Sequence, residues 1–196
     1  INGTRVVPDA AFDDIPVPDI VCVPEVAVNP DQLTGRFDPE VAWLRRCHAE
    51  GAILASACSG ALLFAEAGLL DGQEATTHWA FCDMLGERFP TIRMRPRSAL
   101  VASGDGQRLI MAGGGTSWAD LALYLIARTT SVETAMQVAR INVMDWHAIG
   151  QQPYAQLART RQVEDAEIAR CQAWLGEHYH EPAPVAAMVR LSGMAE

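Results

Sequence analysis

The stretch from Gly51 to Gly72, GAILASACSGALLFAEAGLLDG, constrains the fold more than any other part of the chain. Its first half is an apolar run that stops at Cys58, and a short run of this kind is typical of a strand buried on both faces. The second half, residues 61–70, lacks β-branched side chains and precedes Gly72, which predicts a helix that ends at a glycine. The stretch therefore predicts a strand, a tight turn at Cys58 and a helix.

Cys58 would occupy a turn like the nucleophile elbow of hydrolases, because its small neighbours Ala57, Ser59 and Gly60 allow the chain to bend sharply. A thiol there lies at the positive end of the helix dipole, which favours the thiolate and predicts a lowered pKa. The alternative is a buried structural cysteine, since free cysteines are among the most buried residues.

Composition limits the class of protein. The chain has 196 residues, of which 49% are hydrophobic, enough for one large domain or for one domain and a piece of another. The net charge of -9 indicates that the surface as a whole does not bind polyanions. Five cysteines without a CxxC pair argue against a disulfide framework and a zinc ribbon. The same cysteine pattern favours a reducing, cytoplasmic setting, and we expect no metal and no cofactor. No apolar run is long enough to span a membrane.

Strand and helix patterns alternate along the first 149 residues. We predict strands at 5–8, 19–24, 52–57, 74–78, 91–95, 99–103 and 109–112. We predict helices at 38–51, 61–70, 79–89, from 116 or 117 onward, and at 131–141. Asp38, then Thr116 or Ser117, and then Ser131 are expected to cap their helices. Trp79 and Trp118 are expected in the core. The alternation predicts parallel βαβ units, and hence an α/β sandwich of the flavodoxin-like kind with three layers and a mostly parallel sheet.

The last thirty residues have a different pattern. Residues 165–179 and 185–191 predict two short helices separated by Glu181-Pro182-Ala183-Pro184, with Val185 facing inward. The turn Ser192-Gly193-Met194 follows, so the segment is half of a helix-turn-helix unit. A helical hairpin that only packs on the domain is the alternative interpretation.

Two resemblances follow from these motifs. The segments ACSGA, AEAGLLDG and ATTHW, between Ala57 and Trp79, resemble the PfpI-type superfamily with its class I glutamine amidotransferase-like fold. The tail from Ile168 to Glu196 resembles the opening of an AraC-type DNA-binding domain. Together they resemble one architecture, the AraC-family transcriptional regulators with an amidotransferase-like N-terminal sensor domain.

The resemblance implies a sensor domain at 1–149, a linker at 150–164 and the truncated start of a helix-turn-helix domain at 165–196. It implies that DNA contacts begin at Ser192, Gly193 and Met194. It also implies a fragment, because the family's first strand, with an acidic residue facing the cysteine, would precede Ile1. The implied partners are DNA, an unknown small-molecule effector and a second copy in a homodimer.

The resemblance also implies a ligand pocket, formed by Glu25, Cys58, Ser59, Gly60, His78 and Gly114. In relatives that are enzymes the cysteine is a nucleophile, sometimes beside a histidine, so Cys58 and His78 are the catalytic candidates. Glu25, however, stands where the family's oxyanion loop has glycine, and its carboxylate would repel a developing oxyanion. We therefore expect a transcription regulator that senses a ligand without turnover. The alternatives are a Cys-dependent hydratase or hydrolase with Cys58 as nucleophile, and a redox sensor that reports through Cys58.

Overall fold

The computed structural model describes residues 5–27, 33–144, 166–178, 180 and 184–193. The chain divides into two compact units, residues 1–154 and 155–196. Among the described residues no helix has the length and apolar character needed to cross a membrane. The predicted linker, 150–164, lies outside the described residues, as does Met194.

The first unit alternates strands and helices. Its described strands are β1 (Ile20–Val23), β2 (Ile53–Ala57), β3 (Glu74–Ala75), β4 (Arg93–Met94), β5 (Leu100–Ser103) and β6 (Leu109–Ala112). Its described helices are α1 (Asp38–Ala49), α2 (Ala61–Glu66), α3 (Trp79–Arg88), α4 (Ser117–Thr129) and α5 (Val132–Ile141). One tight helical turn, Cys58–Gly60, joins β2 to α2.

The main sheet has the strand order β1-β2-β6-β5. Strands β1, β2 and β6 are parallel, whereas β5 runs antiparallel to β6 across the turn that contains Gly104 and Gly106. Strands β3 and β4 form a separate parallel pair. Three consecutive residues of β2, Leu54, Ala55 and Ser56, are fully buried, which requires cover on both faces of the sheet. The predicted α/β architecture with a mostly parallel sheet is confirmed.

Helix α2 ends earlier than predicted. The turn after it is closed by bonds from the Gly68 N–H to the Ala65 carbonyl (2.8 Å) and from the Leu69 N–H to the Phe64 carbonyl (3.0 Å). Gly68 has φ +69°, the left-handed conformation that ends many helices. The predicted helix at 61–70 is therefore wrong at its end, because Gly68 and not Gly72 stops it.

Three further local predictions are wrong. Residues 5–8 form no strand, and Val6 and Val7 are exposed. Two adjacent apolar residues do not form a strand when no neighbouring strand bonds to them. The predicted strand 74–78 is regular only over β3, because the following residues turn into the start of α3. Asp38 is the first residue of α1, and Phe37 precedes it as a cap without a side-chain hydrogen bond.

Both tryptophans predicted in the core are exposed, Trp79 to 76% and Trp118 to 54%. Each lies in the first turn of its helix, α3 or α4, where the helix has only just left the loop that follows a strand. In α4 the exposed Trp118 and the buried Asp120 are two residues apart and so lie on opposite faces of the helix. Thr116 precedes α4 without a side-chain capping bond, contrary to the capping role expected of Thr116 or Ser117.

The second unit contains helices α6 (Ala166–His178) and α7 (Pro184–Ser192). They pack together, with the Cys171 thiol 3.6 Å from the Met188 carbonyl oxygen. Val185 is 59% exposed, so the prediction that it faces inward is wrong; the contact is made one turn later. Ser192 is the last residue of α7 and not part of a turn, and Gly193, with φ +68°, follows it.

Candidate functional site

Cys58 occupies a strained turn at the carboxyl end of β2. Its φ is +55°, a left-handed value that is uncommon for a residue other than glycine. Two neighbouring segments hold this conformation: the Cys58 N–H donates to the Gly113 carbonyl (3.1 Å), and the buried Thr77 hydroxyl donates to the Cys58 carbonyl (2.7 Å). Strain that the surrounding structure maintains in this way is typical of functional sites.

Gly60 allows the turn to lie directly against the end of β1. A Cβ atom on Gly60 would stand 2.7 Å from the carbonyl oxygens of both Val23 and Pro24. Real Cβ atoms do not approach backbone oxygen so closely, so only glycine fits between these two segments. This contact fixes the elbow beside the loop that carries Glu25.

Ser59 fastens that loop by two hydrogen bonds. Its hydroxyl donates to the Val26 carbonyl (2.9 Å) and accepts from the Val26 N–H (3.0 Å). The Val26 N–H is therefore engaged and does not point at the Cys58 thiol as an oxyanion donor would. Glu25 lies just before this clamp, with its side chain exposed.

His78 is the N-cap of α3. Its Nδ1 accepts a hydrogen bond from the Ala80 N–H (3.2 Å). A nitrogen that accepts carries no proton, so the neutral ring has its hydrogen on Nε2. In this state neither nitrogen is free to take a proton from a thiol, and the ring offers a hydrogen-bond donor at Nε2.

The His78 ring lies on the backbone of Gly114. A Cβ atom on Gly114 would stand 1.9 Å from Cδ2 and 2.7 Å from Nε2 of His78. No side chain larger than hydrogen fits under the ring, so Gly114 and His78 form one unit of the site.

The surroundings of the Cys58 thiol disfavour the thiolate. Burial is the largest influence and raises the pKa of Cys58; the Ser59 backbone N–H lowers it by less, the Glu25 carboxylate raises it, and the Ser59 side chain lowers it slightly. The prediction of a lowered pKa is therefore wrong. A single short turn supplies too little stabilisation of negative charge to offset the loss of water around the sulfur.

All six residues of the predicted pocket lie in one region. Cys58 contacts Gly113 beside Gly114, His78 contacts Gly114, and Ser59 and Gly60 hold the loop of Glu25. Two members, Thr77 and Val26, were not predicted from the sequence, because each acts through a contact with a distant segment and such a contact leaves no local pattern. Ser192 and Gly193, where the DNA contacts were predicted to begin, belong to the second unit.

Two further features concern the metal-ligating and thiol groups of the described residues. Within 5–27, 33–144, 166–178, 180 and 184–193, no three His, Cys, Asp or Glu side chains converge to hold a metal ion. The thiol of Cys82, which is buried in α3, lies 3.7 Å from the Thr77 carbonyl and 3.6 Å from the His78 carbonyl, and so supports the segment that carries His78.

The chain belongs to the DJ-1/PfpI family, whose sequence profile matches residues 1–126. Among curated proteins it is 37% identical over 142 residues to an isonitrile hydratase from Pseudomonas putida. It is 34% identical over 138 residues to the HTH-type transcriptional regulator CdhR from Pseudomonas aeruginosa. Each alignment covers 70% of this chain, which spans 57% of the hydratase and 39% of CdhR.

Solved structures confirm the fold. An AraC family transcriptional regulator from Pseudomonas putida superposes with a TM-score of 0.58 at 22% identity, covering 70% of each chain. The flavodoxin-like α/β fold predicted for the first unit is therefore correct. The resemblance stated from the sequence is also confirmed. The chain matches the DJ-1/PfpI profile, and its relatives include HTH-type transcriptional regulators.

Proposed function

We propose that this chain belongs to a transcription regulator. Its DJ-1/PfpI domain, residues 1–149, binds a small effector at the site around Cys58. Effector binding changes sequence-specific DNA binding by an AraC-type domain that begins in the second unit, at 165–196. A ligand achieves this only if it binds the two states of the protein with different affinity.

The observation that carries the proposal is that two polar groups near the thiol, the Val26 N–H and His78 Nδ1, are already engaged in hydrogen bonds that hold the structure. Ser59 holds the Val26 N–H, and the Ala80 N–H holds His78 Nδ1. A cysteine nucleophile needs a base or a lowered pKa together with an oxyanion hole. Burial and Glu25 raise the pKa of Cys58 instead. Such a site favours binding over turnover.

The comparisons support the regulatory part. The similarity to CdhR extends over 138 residues of this chain. The helices α6 and α7 are compatible with the first half of a helix-turn-helix domain. From the family resemblance we also expect a cytoplasmic homodimer.

Two observations favour an enzyme instead. The left-handed Cys58 elbow is intact, and the chain is 37% identical to an isonitrile hydratase. In this second hypothesis Cys58 attacks the substrate, and no effector controls DNA binding.

Two assays on the intact gene product separate the hypotheses. In a gel-shift assay with its own upstream DNA, we expect a complex that survives excess unrelated DNA and weakens with salt. In a hydration assay with an alkyl isonitrile, we expect no turnover above that of Cys58→Ser. Absence of any specific complex would overturn the regulator, and turnover that Cys58→Ser abolishes would establish the enzyme.

A further inference from the structure

Helix α5 buries its two alanines and exposes its methionine and its isoleucine. Ala135 and Ala139 are buried, and α5 packs against α4. Met136, in contrast, is 41% exposed and Ile141 is 71% exposed. Burial of apolar surface within the domain would favour the opposite arrangement, with the larger side chains inside. The exposed side of α5 therefore has apolar surface that a partner could cover.

Two opposite charges lie on the same exposed side of the helix. Glu133 and Arg140 are both exposed. They are seven residues apart, nearly two full turns, so they share one face and lie about 10 Å apart along the helix axis. Charges within one helix pair best at a spacing of three or four residues, so this pair is poorly placed to join within α5. Met136 lies between the two charges, one turn before Arg140.

This face is complementary to a second copy of itself. When two α5 helices pack antiparallel about a two-fold axis midway between residues 136 and 137, residue 140 of each copy faces residue 133 of the other. Two pairs of an arginine with a glutamate then form, one on each side of the axis, and the Met136 side chains of the two copies meet beside the axis. A two-fold contact requires a surface that complements itself in this way.

The charge of the whole chain makes this local balance important. Two copies that each carry a net charge of -9 repel one another over most of their surface. On the exposed side of α5 the opposite charges of Glu133 and Arg140 cancel, and in the antiparallel arrangement each charge faces its opposite. Charge complementarity therefore favours a second copy of this chain as the occupant of the face.

We propose that the exposed face of α5, formed by Glu133, Met136 and Arg140, is a homodimer contact in which the α5 helices of two copies pack antiparallel. The proposal goes beyond the homodimer expected from the family resemblance, because it names the surface, and it does not depend on DNA binding. A ten-residue helix is only about 15 Å long, so this contact is smaller than the interfaces of stable complexes. We therefore expect a reversible equilibrium between monomer and dimer.

The test measures self-association of the full-length protein by sedimentation velocity over a range of concentrations, in low salt and without DNA. Arg140→Glu places two glutamates opposite each other at both charge contacts of the dimer, and Glu133→Arg places two arginines there. The control is Arg97→Glu, which reverses the charge of another exposed arginine of the first unit outside α5.

We expect each α5 variant to raise the dimer dissociation constant by about tenfold or more, and the control to leave it unchanged. We expect an equal mixture of the two α5 variants to form a heterodimer within about threefold of the wild-type affinity. In that heterodimer each charge contact again joins a glutamate to an arginine. A variant that had only lost stability would stay weak in the mixture.

Three results would overturn the contact. They are a wild type that sediments as a monomer at about 100 μM, α5 variants that associate as tightly as the wild type, and a mixture no tighter than its components. Failure of the proposed function is a separate result, seen as a missing complex in the gel-shift assay, and it leaves this measurement unaffected.

Discussion

The imidazole of His78 rests on the backbone of Gly114, with only 1.9 Å between the His78 Cδ2 atom and the place where a Cβ of residue 114 would be. This contact joins two loops that follow different strands and brings them to the Cys58 elbow. Because it depends on a missing side chain, a single methyl group tests it.

Gly114→Ala is expected to displace the His78 ring and to break the bond between the Ala80 N–H and His78 Nδ1. We expect a loss of about 1–3 kcal/mol in the free energy of unfolding, measured by urea denaturation. Gly113→Ala is the matched control, because a Cβ there meets its nearest atoms at an ordinary 3.6 Å. Equal losses in the two variants would contradict the contact.

The clamp between Ser59 and Val26 gives a second prediction. Ser59→Ala leaves two backbone groups of Val26 without their side-chain partner, so we expect a loss of about 1–3 kcal/mol in the free energy of unfolding. Ser56→Ala is the control. The Ser56 hydroxyl is fully buried but has no hydrogen-bond partner among the described residues, so its removal is expected to be neutral or stabilising. A Ser59→Ala variant as stable as the wild type would show that the clamp does not hold the loop.

His48 gives a prediction about pH. Burial lowers the pKa of His48, and the nearby Arg108 guanidinium lowers it further, against a smaller raising by Asp105. Its Nε2 is buried without a hydrogen-bond partner among the described residues. The folded protein therefore binds this proton less readily than the unfolded chain, and stability falls as the pH drops below about 6.5.

The check on His48 is urea denaturation at about pH 7.5 and about pH 5.5. The substitution His48→Gln removes the titrating group, so we expect a smaller loss of stability on acidification than in the wild type. If both proteins lose stability equally, His48 does not contribute to the pH dependence.

Sequence alone predicted the features that depend on local pattern. The apolar run before Cys58 correctly predicted strand β2. Ser131 caps helix α5 as predicted, since its hydroxyl accepts a hydrogen bond from the Thr134 N–H (3.1 Å). The glycine in the GLLDG segment that stops α2 was misassigned, because Gly68 and Gly72 both have positive φ and only packing decides which ends the helix.

The rest depends on contacts between distant segments. The pairing of Ser59 with Val26 spans 33 residues, and no periodicity encodes it. The orientation of the His78 ring follows from the empty space above Gly114. Trp79 is 76% exposed although tryptophan side chains are highly buried on average, and no local sequence pattern signals that exposure.

The charge state of Cys58 tests the central claim most directly, since a binding site without turnover needs no thiolate. The rate of iodoacetamide labelling is measured against pH, with Cys58→Ser to subtract the other four cysteines. We expect a midpoint at or above the free-thiol value of about 8.5, and a lower midpoint in Glu25→Gln because the carboxylate raises the pKa of Cys58. A wild-type midpoint well below about 8.5 would reveal a poised thiolate, contradict the account and favour the enzyme.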